Sequence, residues 1–183
     1  MTSFYTEEEL SGLGLKKYGN NVLISRKCSI YSPEKISIGD NVRIDDFCIL
    51  SGEITLGSYV HISAYAAMYG QFGIEMEDHT NLSVRSTIFT AVADFSGNYL
   101  MPPLVEEDKS KIIGGRVLIK KYTQITVHCV VLPSVTINEG VTVGAMSLVN
   151  NDLEEWGLYA GIPAKRIKDK EKGLLNFLQA DEK

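Results

Sequence analysis

Aliphatic residues recur every six positions through most of the chain, and this recurrence restricts the possible fold more than any other feature. Counting in sixes from Ile38 gives Ile44, Leu50, Leu56, Ile62, Met68 and Ile74. Counting from Ile119 gives Ile125, Val131, Ile137, Val143 and Val149. Six is a multiple of two, so an extended chain turns the same side inward at every repeat. It is not a multiple of the roughly 3.6 residues of a helical turn, so on a helix the stripe would drift around the surface. The position four beyond each of these residues shares the inward parity. It holds Val42, Cys48, Ile54, Val60, Ala66, Thr123, Cys129, Val135, Val141, Ser147 and Leu153, with Phe72 and the charged Asp78 as departures. The position just after is often glycine or small and polar, as at Gly39, Asp45, Gly57, Ser63 and Gly144, residues that tolerate tight turns. Short strands, regular corners and a thin apolar interior describe a β-solenoid.

Composition excludes several function classes. The chain has 183 residues, 44% of them hydrophobic and 22% charged, which suits one globular unit. No apolar run approaches the roughly 20 residues of a membrane-spanning helix. The acidic start, MTSFYTEEEL, is unlike a secretory leader, so a cytoplasmic protein is expected. A net charge of −5 argues against nonspecific nucleic-acid binding. Cys28, Cys48 and Cys129 are too scattered for a disulfide framework or a zinc motif and read as core fillers.

Other segments leave the six-residue count. From Ile74 to Ile119 is 45 residues, not a multiple of six, and the break holds DFSGNYLMPPLVEEDKSKIIGG, residues 94–115. This reads as a loop thrown out of the solenoid, a common place for a site. Thr6 followed by Glu9 is a capping-box pattern that predicts a short helix over 6–12. Residues 168–180, with Leu174, Leu175, Phe177 and Leu178, predict a C-terminal helix. The expected layout is one domain: an N-terminal cap (1–23), coils (24–93 and 116–160), the loop (94–115) and a C-terminal segment (161–183).

Near the C-terminus, GAMSLVNNDLEEWGLYAGIPAKRIKDK resembles the terminal signature of the hexapeptide-repeat acyltransferases, Gly-Ala-x-Ser-x-Val followed by Ala-Gly-x-Pro-Ala-Lys. The resemblance implies a left-handed parallel β-helix of three hexapeptides per coil, here a little over four coils with a ragged extra turn from Ile24 to Ile36, assembled as a homotrimer. It implies an acyl-CoA donor, acetyl-CoA above all, bound along Gly144, Ala145, Ser147, Ala160, Gly161, Lys165 and Arg166. Five basic side chains between Lys165 and Lys172 outweigh Asp169 and Glu171, which suits an anionic ligand. It also implies a sugar or nucleotide-linked sugar acceptor, with O-acylation first, and a link to cell-envelope polysaccharide. N-acylation of an amino sugar is the alternative. A γ-carbonic-anhydrase-like metalloprotein and a non-catalytic trimeric scaffold are the other readings of the same fold.

Sugar O-acetyltransferases of this family carry their base as His in a Thr-Ala-Thr-His-Pro-like segment. Here the matching segment is Thr90-Ala91-Val92-Ala93-Asp94, with Ala93 in the histidine's place. Two substitutes present themselves. His79 follows Glu75, Glu77 and Asp78, carboxylates that would raise its basicity, and Asp94 stands beside the vacant position. Asn98 and Tyr99 are candidate acceptor contacts. His61 and His79, 18 residues apart, are expected to stack in one column, with His128 elsewhere in its hexapeptide. No close histidine pair points to a metal, so none is expected.

Overall fold

In a computed structural model describing residues 3–178, the chain winds into a left-handed parallel β-helix of about seven turns. Each coil contributes strands to three faces. The first face stacks Leu23–Ile24, Arg43–Ile44, His61–Ile62, Asn81–Leu82, Gln124–Ile125, Thr142–Val143 and Gly157–Ala160. The second stacks Ser29–Tyr31, the starts of Ile49–Leu56 and Ala67–Met76, then Thr87–Phe89, Val130–Val131 and Leu148–Val149. The third stacks Ile36–Ile38, the ends of those two long strands, Val117–Ile119 and Thr136–Ile137. Every aliphatic residue of the six-residue count is buried in the single core. Each such side chain contributes about 1.5–3 kcal/mol by leaving water. Cys48 and Cys129 fill the same core and Cys28 is half-buried; burial pushes the Cys28 thiol up to about 12, away from nucleophile chemistry.

The count itself loses phase earlier than the sequence predicts. Ile74 is buried, but it pairs with Ile54 in the column four beyond, while Met76 pairs with Leu56 in the expected one. Two extra residues near 70–73 lengthen that coil to 20, since Ile62 pairs with Leu82, whereas Ile44 pairs with Ile62 after 18. Met76, Leu82 and Ile88 are therefore further members of the core column, and the solenoid has more coils than expected. The departures at Phe72 and Asp78 mark the insertion. His61 pairs with Asn81, not with His79. His79 and His128 hold the same place, three beyond Met76 and Ile125, contrary to expectation.

The corners also differ from expectation. The left-handed backbone falls three residues beyond the core position, on bulky side chains including Phe47 (φ 61°), Tyr59, Tyr65, His79 (φ 57°), Tyr122, His128 and Trp156. Each such residue costs about 1–2 kcal/mol relative to ordinary backbone. Stacking along the edges offsets part of this: Tyr59, His79 and Tyr122 lie ring on ring at 4.6 and 5.6 Å. Gly39 is needed for a different reason. A Cβ there would stand 2.6 Å from the Gly57 carbonyl carbon of the next coil.

At the N-terminus the helix Glu7–Ser11 forms with its capping box complete, and buried Leu10 closes the first coil. The C-terminal expectation is corrected. Lys165–Asp169 is a strand running antiparallel to Gly157–Ala160, and only Leu175–Leu178 is helical; residues 179–183 lie outside the described residues. Antiparallel pairing ends the stack by covering the last parallel edge. Among the described residues no helix is long and apolar enough to cross a membrane.

Candidate active site

The 94–115 loop leaves from the edge between the second and third faces. Its base is a two-stranded ribbon, Ala91–Ala93 against Ile112–Gly114, which the sequence did not predict. Thr90 anchors it: its hydroxyl accepts from the Phe72 N–H and donates to the Tyr69 carbonyl, both at 2.9 Å. Its carbonyl accepts from the Gly115 N–H at 3.0 Å. Asp94 follows directly, with its N–H donating to the Lys111 carbonyl at 2.8 Å.

The Asp94 side chain is only 8% exposed and sits beside the Lys111 ammonium, 3.7 Å from Oδ2. Its Oδ1 accepts from the Ser96 N–H at 2.8 Å. Hydrogen bonds from Ser96, assisted by the Lys111 charge, hold this carboxyl below the usual carboxylate range, so it is an anion at neutral pH. Lys111 also lies over the Tyr99 ring at 5.4 Å, and the Asn98 amide donates to Ser96 Oγ at 3.1 Å. Asp94, Asn98 and Tyr99 thus share one turn, with Ser96 and Lys111 as members the sequence reading missed. Lys111 lies 17 residues from Asp94, and only the ribbon brings them together.

The terminal motif gathers on the edge between the first and second faces. Ser147 is buried; its hydroxyl donates to the Gly144 carbonyl at 2.6 Å and accepts from the Gly161 N–H at 3.0 Å. Gly161 in turn accepts from the Leu148 N–H. A Cβ on Gly144 would meet that of Ala160 at 3.0 Å, so the two segments need their small residues to lie this close. Ala145 is exposed on the corner.

The basic segment divides. Arg166 is committed within the chain: it donates to Asp169 at 2.8 Å, to the Tyr159 hydroxyl at 2.8 Å and to the carbonyls of Glu154 and Glu155. Lys170 Nζ donates to the Gly140 carbonyl and Thr142 Oγ1, each at 2.7 Å, and Lys172 lies over Trp156 at 5.0 Å. Lys165 and Lys168 are exposed strand residues.

His79 is on the remaining edge, between the third and first faces, with Tyr59 and Tyr122 on its two ring faces. Within one chain it does not join Asp94. Asp94 and the Gly144–Gly161 motif stand on the two edges that bound the second face. Among the described residues, no three His, Cys, Asp or Glu side chains gather as a metal site.

No family profile matches the chain. It is 40% identical to a dTDP-4-amino-4,6-dideoxy-D-glucose acyltransferase of Escherichia coli, over 96% of this chain and 93% of that one. It is 48% identical to AntD, an N-acyltransferase from Bacillus cereus solved with dTDP and 3-hydroxybutyryl-CoA, with a TM-score of 0.95 and all of both chains covered. A variant of AntD solved with dTDP-4-amino-4,6-dideoxyglucose and coenzyme A is 48% identical, with a TM-score of 0.96 over 100% of this chain and 98% of that one. With an acyltransferase this similar along almost its whole length, and a coil architecture that superimposes on AntD, the chain belongs to the hexapeptide-repeat acyltransferases.

Proposed function

We propose that the protein transfers the acyl group of an acyl-CoA to the amino group of a dTDP-linked amino sugar. The observation that carries this reading is the anionic Asp94 beside Ala93, where the family's O-acetyltransferases keep histidine. A hydroxyl must lose its proton as it attacks, and a carboxyl with a lowered pKa is a weak base for that task. A neutral amine needs only to be oriented. Asp94 suits that role: it accepts an N–H from the acceptor and points the nitrogen lone pair at the thioester carbon. The C–N bond forms, the C–S bond breaks, coenzyme A leaves with its sulfur, and the amine proton passes to water. The relatives favour this amine acceptor over the hydroxyl expected from the sequence.

On the donor side, Gly144, Ala145, Ser147, Ala160 and Gly161 form a narrow corner along which a pantetheine arm can lie, with exposed Lys165 toward the phosphates. Arg166 serves here by holding the Gly157–Ala160 and Lys165–Asp169 strands together. Asn98 and Tyr99 shape the acceptor side. His79 is assigned to the edge stack and not to proton transfer. The second face, with donor and acceptor elements on its two edges, is a single open wall. A homotrimer supplies the second wall and gives three equivalent sites. A cytoplasmic location suits an enzyme that draws on acyl-CoA.

The test is thiol release from acetyl-CoA with dTDP-4-amino-4,6-dideoxyglucose, run beside the analogue carrying a hydroxyl at the same carbon. Turnover with the amine alone is expected. Turnover with the hydroxyl alone, or with neither, overturns the proposal.

A further inference from the structure

Upstream of the loop, the edge between the second and third faces opens into a cleft of about 570 Å³, within the ~300–1,000 Å³ usual for small-ligand sites. We infer that this cleft receives the pyrimidine nucleoside diphosphate of the acceptor; the inference rests on the nucleotide-sugar reading above.

Four features of the cleft carry it. Its floor is backbone, because the coils touch there: a Cβ on Gly52 would lie 2.6 Å from the Gly70 oxygen, and one on Gly70 would lie 2.4 Å from the Glu53 oxygen. One wall is the Tyr69 ring, backed by Phe89 of the following coil at 5.3 Å and 9°. A backed aromatic ring is a platform on which a base stacks. Gln71 beside it offers an amide oxygen and an amide NH2, the complement of the alternating carbonyl and N–H edge of a pyrimidine dione.

The charges fit the diphosphate. Lys16 and Lys35 line the cleft, and neither ammonium has an ion pair or side-chain hydrogen bond among the described residues. Of the two carboxylates present, Glu53 is drawn to Arg116 at 3.7 Å, and Glu34 is an acceptor suited to a deoxyribose hydroxyl. The lining thus holds Lys16 and Lys35 against Glu34 and Glu53, with Arg116 shared between Glu53 at 3.7 Å and Glu75 at 3.3 Å, and the two unpaired ammoniums are the groups that can meet a diphosphate.

Position links the cleft to the reaction. The Tyr69 carbonyl accepts from the Thr90 hydroxyl, and Thr90 opens the strand that leads to Asp94. A nucleotide seated upstream therefore presents its sugar toward the loop base, leaving the terminal motif on the other edge to the donor.

Calorimetric titration of the full-length protein with dTDP, with coenzyme A present, tests this without requiring turnover. The double variant Lys16→Glu/Lys35→Glu is expected to bind dTDP at least ten-fold more weakly, with coenzyme A affinity and melting temperature unchanged. Gln71→Ala is expected to lose the preference for dTDP over dGDP. Unchanged dTDP affinity in both variants overturns the placement, even if the acyl transfer stands. Equal acylation of a free amino sugar and its dTDP-linked form also overturns it and leaves the amine chemistry intact. Absence of dTDP binding to the wild type overturns it together with the nucleotide-linked acceptor.

Discussion

Asp94 and Lys111 face each other across the base of the excursion, carboxylate to ammonium at 3.7 Å, although 17 residues of chain separate them. The Ala91–Ala93 and Ile112–Gly114 ribbon makes the pair, and Ser96 completes the carboxylate's shell. The result is an anion fixed at the mouth of the loop, whose chemistry can be interrogated directly.

Asp94→Asn keeps the shape and removes the charge. We expect kcat/KM for the amino sugar to fall about 100-fold, in the range of lost acid–base or orienting groups, with coenzyme A affinity intact. Steady-state kinetics with parallel calorimetry read both quantities.

The pH dependence follows from the lowered Asp94 pKa. Because the carboxyl is already ionised through the neutral range, the rate should rise along one limb set by deprotonation of the acceptor's ammonium. The stability supplied by ionised Asp94 is present above the unfolded value, about 3.9 for a carboxyl of this type, and is lost as pH falls through the lower folded value. Acid unfolding of Asp94→Asn should therefore show a weaker pH dependence than that of the wild type.

Ser147→Ala removes a hydroxyl that both donates to Gly144 and accepts from Gly161 in a buried position. Leaving the Gly161 N–H unpaired should cost about 1–3 kcal/mol in denaturant melts. Coenzyme A affinity should fall as well, because Gly161 borders the proposed donor groove.

Lys165→Glu and Arg166→Ala should separate along different axes. Reversing the exposed Lys165 should weaken coenzyme A binding by about 1.5–3 kcal/mol, roughly ten- to hundred-fold, with little change in melting temperature. Arg166→Ala should chiefly lower the melting temperature, since its donors are engaged by Asp169, Tyr159, Glu154 and Glu155.

His79→Ala should leave turnover within a few-fold of wild type while removing two ring contacts, each worth about 0.5–1.5 kcal/mol. A hundred-fold fall in turnover with an unchanged melting curve would restore His79 as a base. Light scattering should give three times the 20.2 kDa chain mass; a monomer that turns over would remove the trimer from the proposal.

The inward columns of the solenoid were legible in the residues alone, because alternation in an extended chain assigns each side chain to core or solvent by parity. That rule needs no knowledge of neighbours, and the aliphatic residues counted in sixes from Ile38 to Val149 obey it, while Phe72 is exposed. The capping box at Thr6 was legible for the same reason, being a contact among residues three apart. Tertiary structure decided what parity cannot see. An insertion of two residues near 70–73 preserves parity, so Ile74 still points inward, yet it changes which residue lies above which. For that reason His79 stacks on Tyr59 and His61 pairs with Asn81. The left-handed corners on bulky side chains, the antiparallel closing strand and the Asp94–Lys111 pair are likewise products of coils pressing on one another. The terminal motif was visible as letters, but Ser147 as the link between Gly144 and Gly161 was not, since that bond joins two segments only after the last coil has closed.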